Sequence, residues 1–305
     1  MVSQNSENAP PLGAEAEDGM KVDVYQAHTH QITAQDLPLL HELTVGVFWP
    51  HRDRDLELFM QLGDGYLALD EIGRPLSSAM KFPIGTDFAM LGMMITAPRL
   101  QSLGTGRWLL RRLMDECDGR DMRLSATRAG YRLYQGAGFV PVATIRQQQG
   151  KARAITAPEP VSGVSVRPIE PSDLSALQTL DSAAFGADRT QILDLLLTKS
   201  EVLVAEKAGQ IVGFSMIRNF GKGQVIGPVV AESDQMAMQL TAPLIQAREG
   251  AFLRLDTPIE EGIFTAFLAA SGLGMFDTVT EMRVGPHRRA TEGAVTYGLA
   301  AHSLG

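Results

Sequence analysis

The residues with the clearest chemical potential lie in a short glycine-containing segment. Residues 101–106 read QSLGTG and separate an apolar run, residues 93–96, from an amphipathic helix predicted over residues 107–117. A strand, a turn and a helix in this order can bind phosphate, because the first N–H groups of a helix are unpaired and the helix dipole favours an anion there. Gly104 and Gly106 have no Cβ atom and let the backbone approach a ligand closely.

The spacing within this segment limits the kind of phosphate ligand. The nucleotide P-loop requires GxxxxGK[ST], and no lysine is present here. The dinucleotide fingerprint requires GxGxxG and an acidic residue after the next strand, and this segment has only GxG. The spacing by itself leaves two interpretations: a phosphate loop of another type, or an ordinary glycine turn.

A second motif follows downstream. The run SATRAGYRLYQGAGF contains Leu133 and Tyr134, followed by Gly138 and Phe139. Together with LGMMITAPRLQSLGTGRWLL at residues 91–110, it resembles the central strand, coenzyme A loop and closing helix and strand of the GNAT superfamily of acyltransferases. In that family a Leu-Tyr-x-x-x-Gly-Phe signature follows the fifth strand. Two motifs in the family's order are far more specific than either one alone.

The resemblance implies a role for each part of the segment. The loop amides would hold the coenzyme A pyrophosphate, and the strand edge would pair with the pantetheine arm. The implied cofactor-binding residues are Met94, Ile95, Thr96, Gln101, Ser102, Leu103, Gly104, Thr105, Gly106 and Arg107. An amide near Gly92 or Met93 would face the thioester oxygen, and Tyr134 would be the general acid for the departing sulfur. The sequence departs from the family at Thr127, where asparagine is frequent, and in lacking a glutamate on the central strand.

The sequence does not identify the general base. An alkyl amine has a pKa of about 10 and must lose a proton before it attacks at neutral pH. His51, Asp55 and Asp87 are candidates, and the first two lie in the segment WPHRDRD with Trp49. We predict that His51 is catalytic and that Trp49 and Asp55 bind the acceptor. The alternative for this segment is a solvated loop in which Trp49 packs into the core.

Composition excludes several classes of protein. The net charge is −8 and no basic stripe is present, which argues against a nucleic-acid partner. Cys117 is the only cysteine, so no internal disulfide framework can form, and His28 and His30 lack further metal ligands nearby in the sequence. No apolar run approaches the ~18 residues of a membrane span. We therefore expect a cytoplasmic protein with no metal and no membrane partner.

The chain repeats itself. Residues 32–40 resemble residues 169–177, an offset of 169 − 32 = 137. Further matching pairs follow in the same order with a slowly falling offset: Phe48 and Phe185, Gly73 and Gly209, Met80 and Met216, Gly92 and Gly227, and Gly138 and Gly272. These matches indicate a tandem duplication of one α/β domain. Residues 228–249 of the second copy contain no glycine, and Leu268 stands where the first copy has Tyr134. We expect the first copy alone to bind coenzyme A.

The predicted fold class is α/β, with two tandem GNAT-like domains, each a mixed, mostly antiparallel sheet flanked by helices. The predicted segments are a disordered lead-in (1–21), a catalytic domain (22–150), a linker (151–162), a degenerate second domain (163–286) and a tail (287–305). The resemblance implies direct transfer of an acetyl group from acetyl-CoA to the amine of a small molecule. The sequence is also compatible with a coenzyme A sensor without turnover, and with a protein-lysine acetyltransferase that docks its target on the second copy. The acidic net charge favours a cationic acceptor; a monomer and a homodimer are both compatible with the sequence.

Overall fold

A computed structural model describes residues 19–22, 25–101, 104–285 and 293–305. The strands are β1 (Gly19–Val22), β2 (Tyr25–Gln31), β3 (Asp64–Leu69), β4 (Pro75–Ile84), β5 (Phe88–Thr96), β6 (Asp121–Ala126), β7 (Val140–Lys151), β8 (Val164–Pro168), β9 (Ser200–Lys207), β10 (Gln210–Phe220), β11 (Gly223–Ala231), β12 (Phe252–Thr257), β13 (Gly274–Val284) and β14 (Val295–Gly298). The α-helices are α1 (Leu37–Gly46), α2 (Asp53–Leu62), α3 (Thr105–Glu116), α4 (Tyr131–Gly136), α5 (Leu174–Phe185), α6 (Thr190–Leu197), α7 (Asp234–Gln246) and α8 (Ile263–Ala270). No helix among these residues is long and apolar enough to cross a membrane.

The same local signal starts the first helix of both copies. The carboxylate of Asp36 accepts hydrogen bonds from the backbone N–H and the hydroxyl of Thr33, at 2.8 and 3.0 Å. In the second copy the carboxylate of Asp173 accepts from the backbone N–H of Glu170 at 2.8 Å. Each bond satisfies a donor that would otherwise be unpaired at the start of the helical segment.

All the described strands except β14 follow one path through a single sheet. Their order is β1-β2-β3-β4-β5-β6-β13-β7-β12-β11-β10-β9-β8. We call residues 25–151 the first half and residues 164–284 the second half. Strand β13 of the second half lies between β6 and β7 of the first, and β7 lies between β13 and β12. The two halves therefore exchange their last strands, and the mostly antiparallel sheet expected for each copy continues into the other.

The sheet opens in the first half between β5 and β6. These parallel strands pair only from Phe88 with Asp121 to Leu91 with Leu124. Beyond that point β5 has a bulge, where Met93 has a φ of 50° and its carbonyl oxygen accepts a hydrogen bond from Ser78 Oγ at 2.8 Å. On the side facing β6, residues 92–96 consequently pair with no strand in the described part of the chain.

The second half has the same opening, but a strand fills it. Strands β11 and β12 pair only at Gln224 with Leu253 and at Val225 with Arg254. Strand β14 then pairs with the free edge of β11, antiparallel to it. The sequence did not predict where the tail lies; residues 293–305 pack between the two halves.

Apolar side chains join the two halves. The rings of Phe88 on β5 and Phe185 on α5 are 5.7 Å apart, edge to face, and both side chains are buried. Leu304 belongs to the same buried cluster. Each large apolar side chain that is removed from water contributes about 1.5–3 kcal/mol, so this shared core fixes the relative position of the halves.

Candidate functional site

A cleft of about 840 Å³ lies where the sheet of the first half opens. It is bounded by the free edge of β5, the start of α3, α4 and the end of α1. The predicted site residues that line it are Trp49, Met94, Ile95, Thr96, Gln101, Gly104, Gly106, Arg107 and Tyr134. Ser102 and Leu103 lie outside the described residues, and Thr105 is buried at the first position of α3.

The start of α3 is shaped to receive a ligand closely. Gly104 precedes the helix with a φ of 100°, a conformation that favours glycine. A Cβ atom added to Gly106 would lie 3.0 Å from Thr96 Oγ1. The hydroxyl of Thr105 is buried and has no hydrogen-bond partner among the described residues. The two glycines leave space at the start of α3, and the unpaired N–H groups of its first turn point into that space. We call this anion-sized site at the positive end of the helix dipole the cradle.

Two arginine side chains add positive charge beside this cradle. Arg107 and Arg132 are exposed and line the cleft, and neither forms an ion pair with another described residue. A second cavity of about 500 Å³ adjoins Arg132 and includes Arg128. Arg132 was not predicted, although it stands two residues before Tyr134 in the same motif. The cradle and these charges suit a ligand with several phosphate groups.

Tyr134 is buried at the inner side of the cleft on α4. Its ring lies 6.1 Å from that of Phe139, close to edge to face. Burial raises the pKa of Tyr134 well above its ordinary value, so the hydroxyl stays protonated at neutral pH. No described residue accepts a hydrogen bond from this hydroxyl. A protonated phenol beside a cleft can supply a proton to a departing anion.

The end of α1 forms the opposite rim. Phe48 has a φ of 60° and is 95% exposed, and Trp49 next to it is half-buried. The duplication pairs Phe48 with Phe185, yet Phe185 is 4% exposed in the shared core. An aromatic ring that is exposed only in the first half provides an apolar face at the mouth of the cleft.

His51 does not line the cleft. Its ring lies among Trp49, Phe59 and Phe220, at centroid distances of 5.6, 5.7 and 5.4 Å. Its Nδ1 atom is buried without a partner in the described part of the chain. Burial, followed by the positive charge of Arg254, lowers the pKa of His51 from 6.5 to about 3. The imidazole is therefore neutral and a weak base.

This shift predicts a pH-dependent stability. Between about pH 3 and pH 6.5 the unfolded chain protonates His51 and the folded chain does not, so the free energy of unfolding falls as the pH drops below 6.5. The slope is at most about 1.4 kcal/mol per pH unit. His51→Phe keeps an aromatic ring and should flatten this decline between pH 7 and pH 5 in urea titrations. The exposed His28→Phe is the control, and equal declines in wild type and His51→Phe would contradict the assignment.

Asp55 joins the two halves and does not face the cleft. Its Oδ2 accepts hydrogen bonds from the backbone N–H groups of Arg52 and Gly221, at 2.8 and 2.9 Å. Arg54 donates to the carbonyl oxygen of Gly221 at 2.7 Å. Asp87, the third candidate base, is exposed before β5, at the end of that strand remote from the cleft.

We expect Asp55→Asn to lower the stability of the chain. Loss of the buried carboxylate weakens two hydrogen bonds, which costs about 1–3 kcal/mol in the free energy of unfolding. Urea titration measures this change, and Asp53→Asn, a substitution at an exposed carboxylate in the same helix, is the control. A large loss of ligand binding in the cleft with unchanged stability would instead favour a direct binding role for Asp55.

Comparison with known proteins shows which proteins this chain is similar to. The family model of the acetyltransferase (GNAT) domain matches residues 177–298. This range covers most of the second half and continues beyond it. The uncharacterized N-acetyltransferase YitH of Bacillus subtilis is 29% identical over 217 residues, covering 70% of this chain and 75% of that protein.

Solved structures agree on the fold. A putative acetyltransferase from Pyrococcus horikoshii superposes with a TM-score of 0.74 at 21% identity over 99% of both chains. A tandem GNAT protein from the clavulanic acid biosynthesis pathway superposes with a TM-score of 0.61 at 13% identity, covering 86% of this chain and all of that one. The tandem arrangement is therefore found in other proteins with this fold.

Proposed function

We propose, from its similarity to the GNAT superfamily of N-acetyltransferases, whose members transfer an acyl group from acyl-CoA, that the first half of this chain moves the acetyl group of acetyl-CoA to an amine of a small molecule. The observation that carries this proposal is the convergence of three features on one cleft. These are the free edge of β5, the glycine-containing start of α3 and the protonated phenol of Tyr134. In the second half only residues 232–233 connect the corresponding strand and helix, against residues 97–104 in the first, and Leu268 stands in the place of Tyr134.

Coenzyme A would be held by backbone groups and two cations. The N–H groups at the start of α3 would bind the pyrophosphate, with Arg107 and Arg132 close enough to the cleft to balance its charge. The edge of residues 94–96 that faces β6 and pairs with no described strand would hydrogen-bond the amides of the pantetheine arm, as an added strand does. The exposed ring of Phe48 would cover apolar parts of the ligand at the mouth.

Transfer then requires four events around the thioester. The amine nitrogen attacks the carbonyl carbon, a backbone N–H at the β5 bulge near Gly92 and Met93 stabilises the oxyanion, the C–S bond breaks, and Tyr134 protonates the thiolate. The attacking nitrogen gives its surplus proton to water, and Tyr134 regains a proton from water. The amine must arrive without its extra proton, since an alkyl ammonium has no free electron pair. The weakly basic, enclosed ring of His51 is unsuited to removing that proton, so we assign it no catalytic role.

Calorimetry with acetyl-CoA and release of free thiol on addition of amines test the proposal. We expect one acetyl-CoA site per chain and thiol release with at least one member of a panel of amino acids, polyamines and amino sugars. Binding without thiol release would favour the sensor, and release with lysine-containing peptides alone would favour a protein acceptor. Two acetyl-CoA sites would contradict the assignment of the site to the first half, and absence of binding would overturn the proposal.

A further inference from the structure

The openings of the two halves correspond residue by residue. Strands β5 and β11 have equal length at an offset of 223 − 88 = 135, so residues 94–96 correspond to residues 229–231. In the first half this edge is free. In the second half it pairs with β14, through Val229 with Gly298, Val230 with Thr296 and Ala231 with Val295. The N–H of Leu299 also donates to the carbonyl oxygen of Asp256 on β12, at 2.8 Å, so the segment bridges both sides of the opening.

The second opening also lacks an anion cradle. Residues 97–104 connect β5 to α3, whereas residues 232–233 alone connect β11 to α7. Ser233 Oγ accepts a hydrogen bond from the N–H of Met236, and Asp234 follows in the first turn of α7. The hydroxyl of Tyr297 on β14 donates to Asp234 Oδ1 at 2.7 Å. The opening that corresponds to the coenzyme cleft is thus occupied by the chain itself.

After β14, residues 299–305 cross to the first half. A Cβ atom added to Gly92 would overlap Ser303 Oγ and would lie 3.2 Å from Phe82. The ring of Phe82 contacts that of Phe59 on α2 at 5.7 Å, so Ser303 covers the β5 bulge from the face that carries α2. Leu91, the residue before Gly92, packs instead in the cluster that contains the buried residues of α3 and Tyr134. Ser303 and the coenzyme cradle therefore lie on opposite faces of β5.

Buried arginines hold this part of the segment in place. Arg218 donates to the carbonyl oxygen of Ala300 at 2.8 Å. Arg189, in a fully buried ion pair with Asp181 at 2.8 Å, donates to backbone oxygens of Leu304 and Gly305 at 3.0 and 2.6 Å. Bonds to buried charged groups are costly to break, so residues 300–305 have one well-determined position.

A polar side chain lies next to Ser303. The Nε2 atom of His302 is 3.3 Å from Asp256 Oδ2 and 3.3 Å from a guanidinium nitrogen of Arg254, and its side chain is 26% exposed. The small, polar side chain of Ser303 thus meets the bulge where the first half would place the thioester, and His302 precedes it in the chain.

We propose that Ser303 and His302 line the acceptor side of the reaction centre in the first half. Strand β14 occupies the opening of the second half that corresponds to the coenzyme cleft, and it thereby positions residues 302 and 303, which follow it in the chain. This inference rests on the proposed function. It makes Ser303 a specificity-determining residue, because a larger side chain at 303 would fill the space beside the acyl group on the face opposite the coenzyme.

Alkylation of an introduced cysteine tests this position without knowledge of the acceptor. The probe is S-bromoacetyl-CoA, which carries a reactive CH2–Br carbon next to the thioester carbonyl, where acetyl-CoA has its methyl group. In Ser303→Cys the cysteine thiolate would attack this carbon, displace bromide and form a thioether, while coenzyme A stays attached through its thioester. The native Cys117 is buried, and its alkylation rate in the wild-type chain gives the background rate.

We expect Ser303→Cys to be alkylated at least about ten-fold faster than Ser175→Cys, which places a cysteine on the exposed surface of α5, because bound reagent and thiol would be held together. Acetyl-CoA should protect the introduced thiol in Ser303→Cys and not the one in Ser175→Cys. Equal rates in a chain that binds acetyl-CoA would overturn the inference and leave the proposed function intact. A chain that binds no acetyl-CoA would overturn both. His302→Cys, at a more exposed position, replaces Ser303→Cys if the latter does not fold.

Discussion

Replacing Tyr134 by phenylalanine will lower kcat for acetyl transfer about 10²-fold or more and will leave the affinity for acetyl-CoA almost unchanged. General acid catalysis contributes about 10²–10⁴-fold, and phenylalanine cannot protonate the departing thiolate. The ring remains against Phe139, and no described residue loses a hydrogen bond when the hydroxyl is removed. The melting temperature should therefore stay close to that of the wild type.

The control for this substitution is on the same helix. Tyr131→Phe removes a hydroxyl from a half-buried ring that lines the second cavity and not the main cleft. We expect its kcat to be that of the wild type. Steady-state kinetics and calorimetry on the two variants separate the roles. An unchanged kcat for Tyr134→Phe would remove Tyr134 from the mechanism, and a loss of coenzyme affinity would make it a binding residue.

A single negative charge at position 106 should abolish coenzyme binding without unfolding the chain. Gly106 is the second residue of α3, and a Cβ atom there would lie 3.0 Å from Thr96 Oγ1; both residues line the cleft. Aspartate near a helix N-terminus is favourable by about 0.3–1 kcal/mol and is a better helix residue than glycine. This gain offsets part of the cost of a Cβ atom 3.0 Å from Thr96 Oγ1, so Gly106→Asp should fold with a melting temperature no higher than that of the wild type. Its carboxylate would take the place of a phosphate and repel it, raising the Kd for acetyl-CoA at least about a hundred-fold.

Gly106→Asn is the matched control, because it has nearly the same shape and no charge. Both variants lose affinity through volume, so the difference between their Kd values measures the charge effect alone. That difference should shrink as salt is added, since salt screens charges near the surface. If Gly106→Asp binds acetyl-CoA as tightly as the wild type does, the phosphates of coenzyme A do not bind at the start of α3.

The parts of this molecule that sequence predicts best are those set by short-range rules. The cap at Thr33 depends on a residue three positions away, and the loop depends on the positive φ of Gly104 and on the absence of a Cβ atom at Gly106. The Leu-Tyr-x-x-x-Gly-Phe motif singles out Tyr134 because α4 and the turn after it lie within a few consecutive residues, whose spacing can be read from the sequence. For the same reason the helix predicted over residues 107–117 agrees with α3, which differs from it by only one or two residues at each end.

The parts that sequence does not predict depend on distant partners. Asp55 bonds to Gly221, and Ser303 covers Gly92, and neither pair has a spacing or period that marks it. His51 looks like a loop histidine, yet Phe220 from the other half helps to enclose it. The length of β7 has the same origin, because its outer residues pair with β12 and β13, which begin about a hundred residues later.

The exchange of β7 and β13 has an evolutionary consequence. Among the described strands, β7 pairs only with strands of the second half, and β6 would keep a single partner without β13. Loss of the second copy would therefore leave bare sheet edges in the first, which favours aggregation. Under the proposed function only the first half binds acetyl-CoA, so selection can relax the residues around the second opening, where the connection before α7 is short, but must keep the strands. The second half would then be retained for the strands that it supplies to the shared sheet.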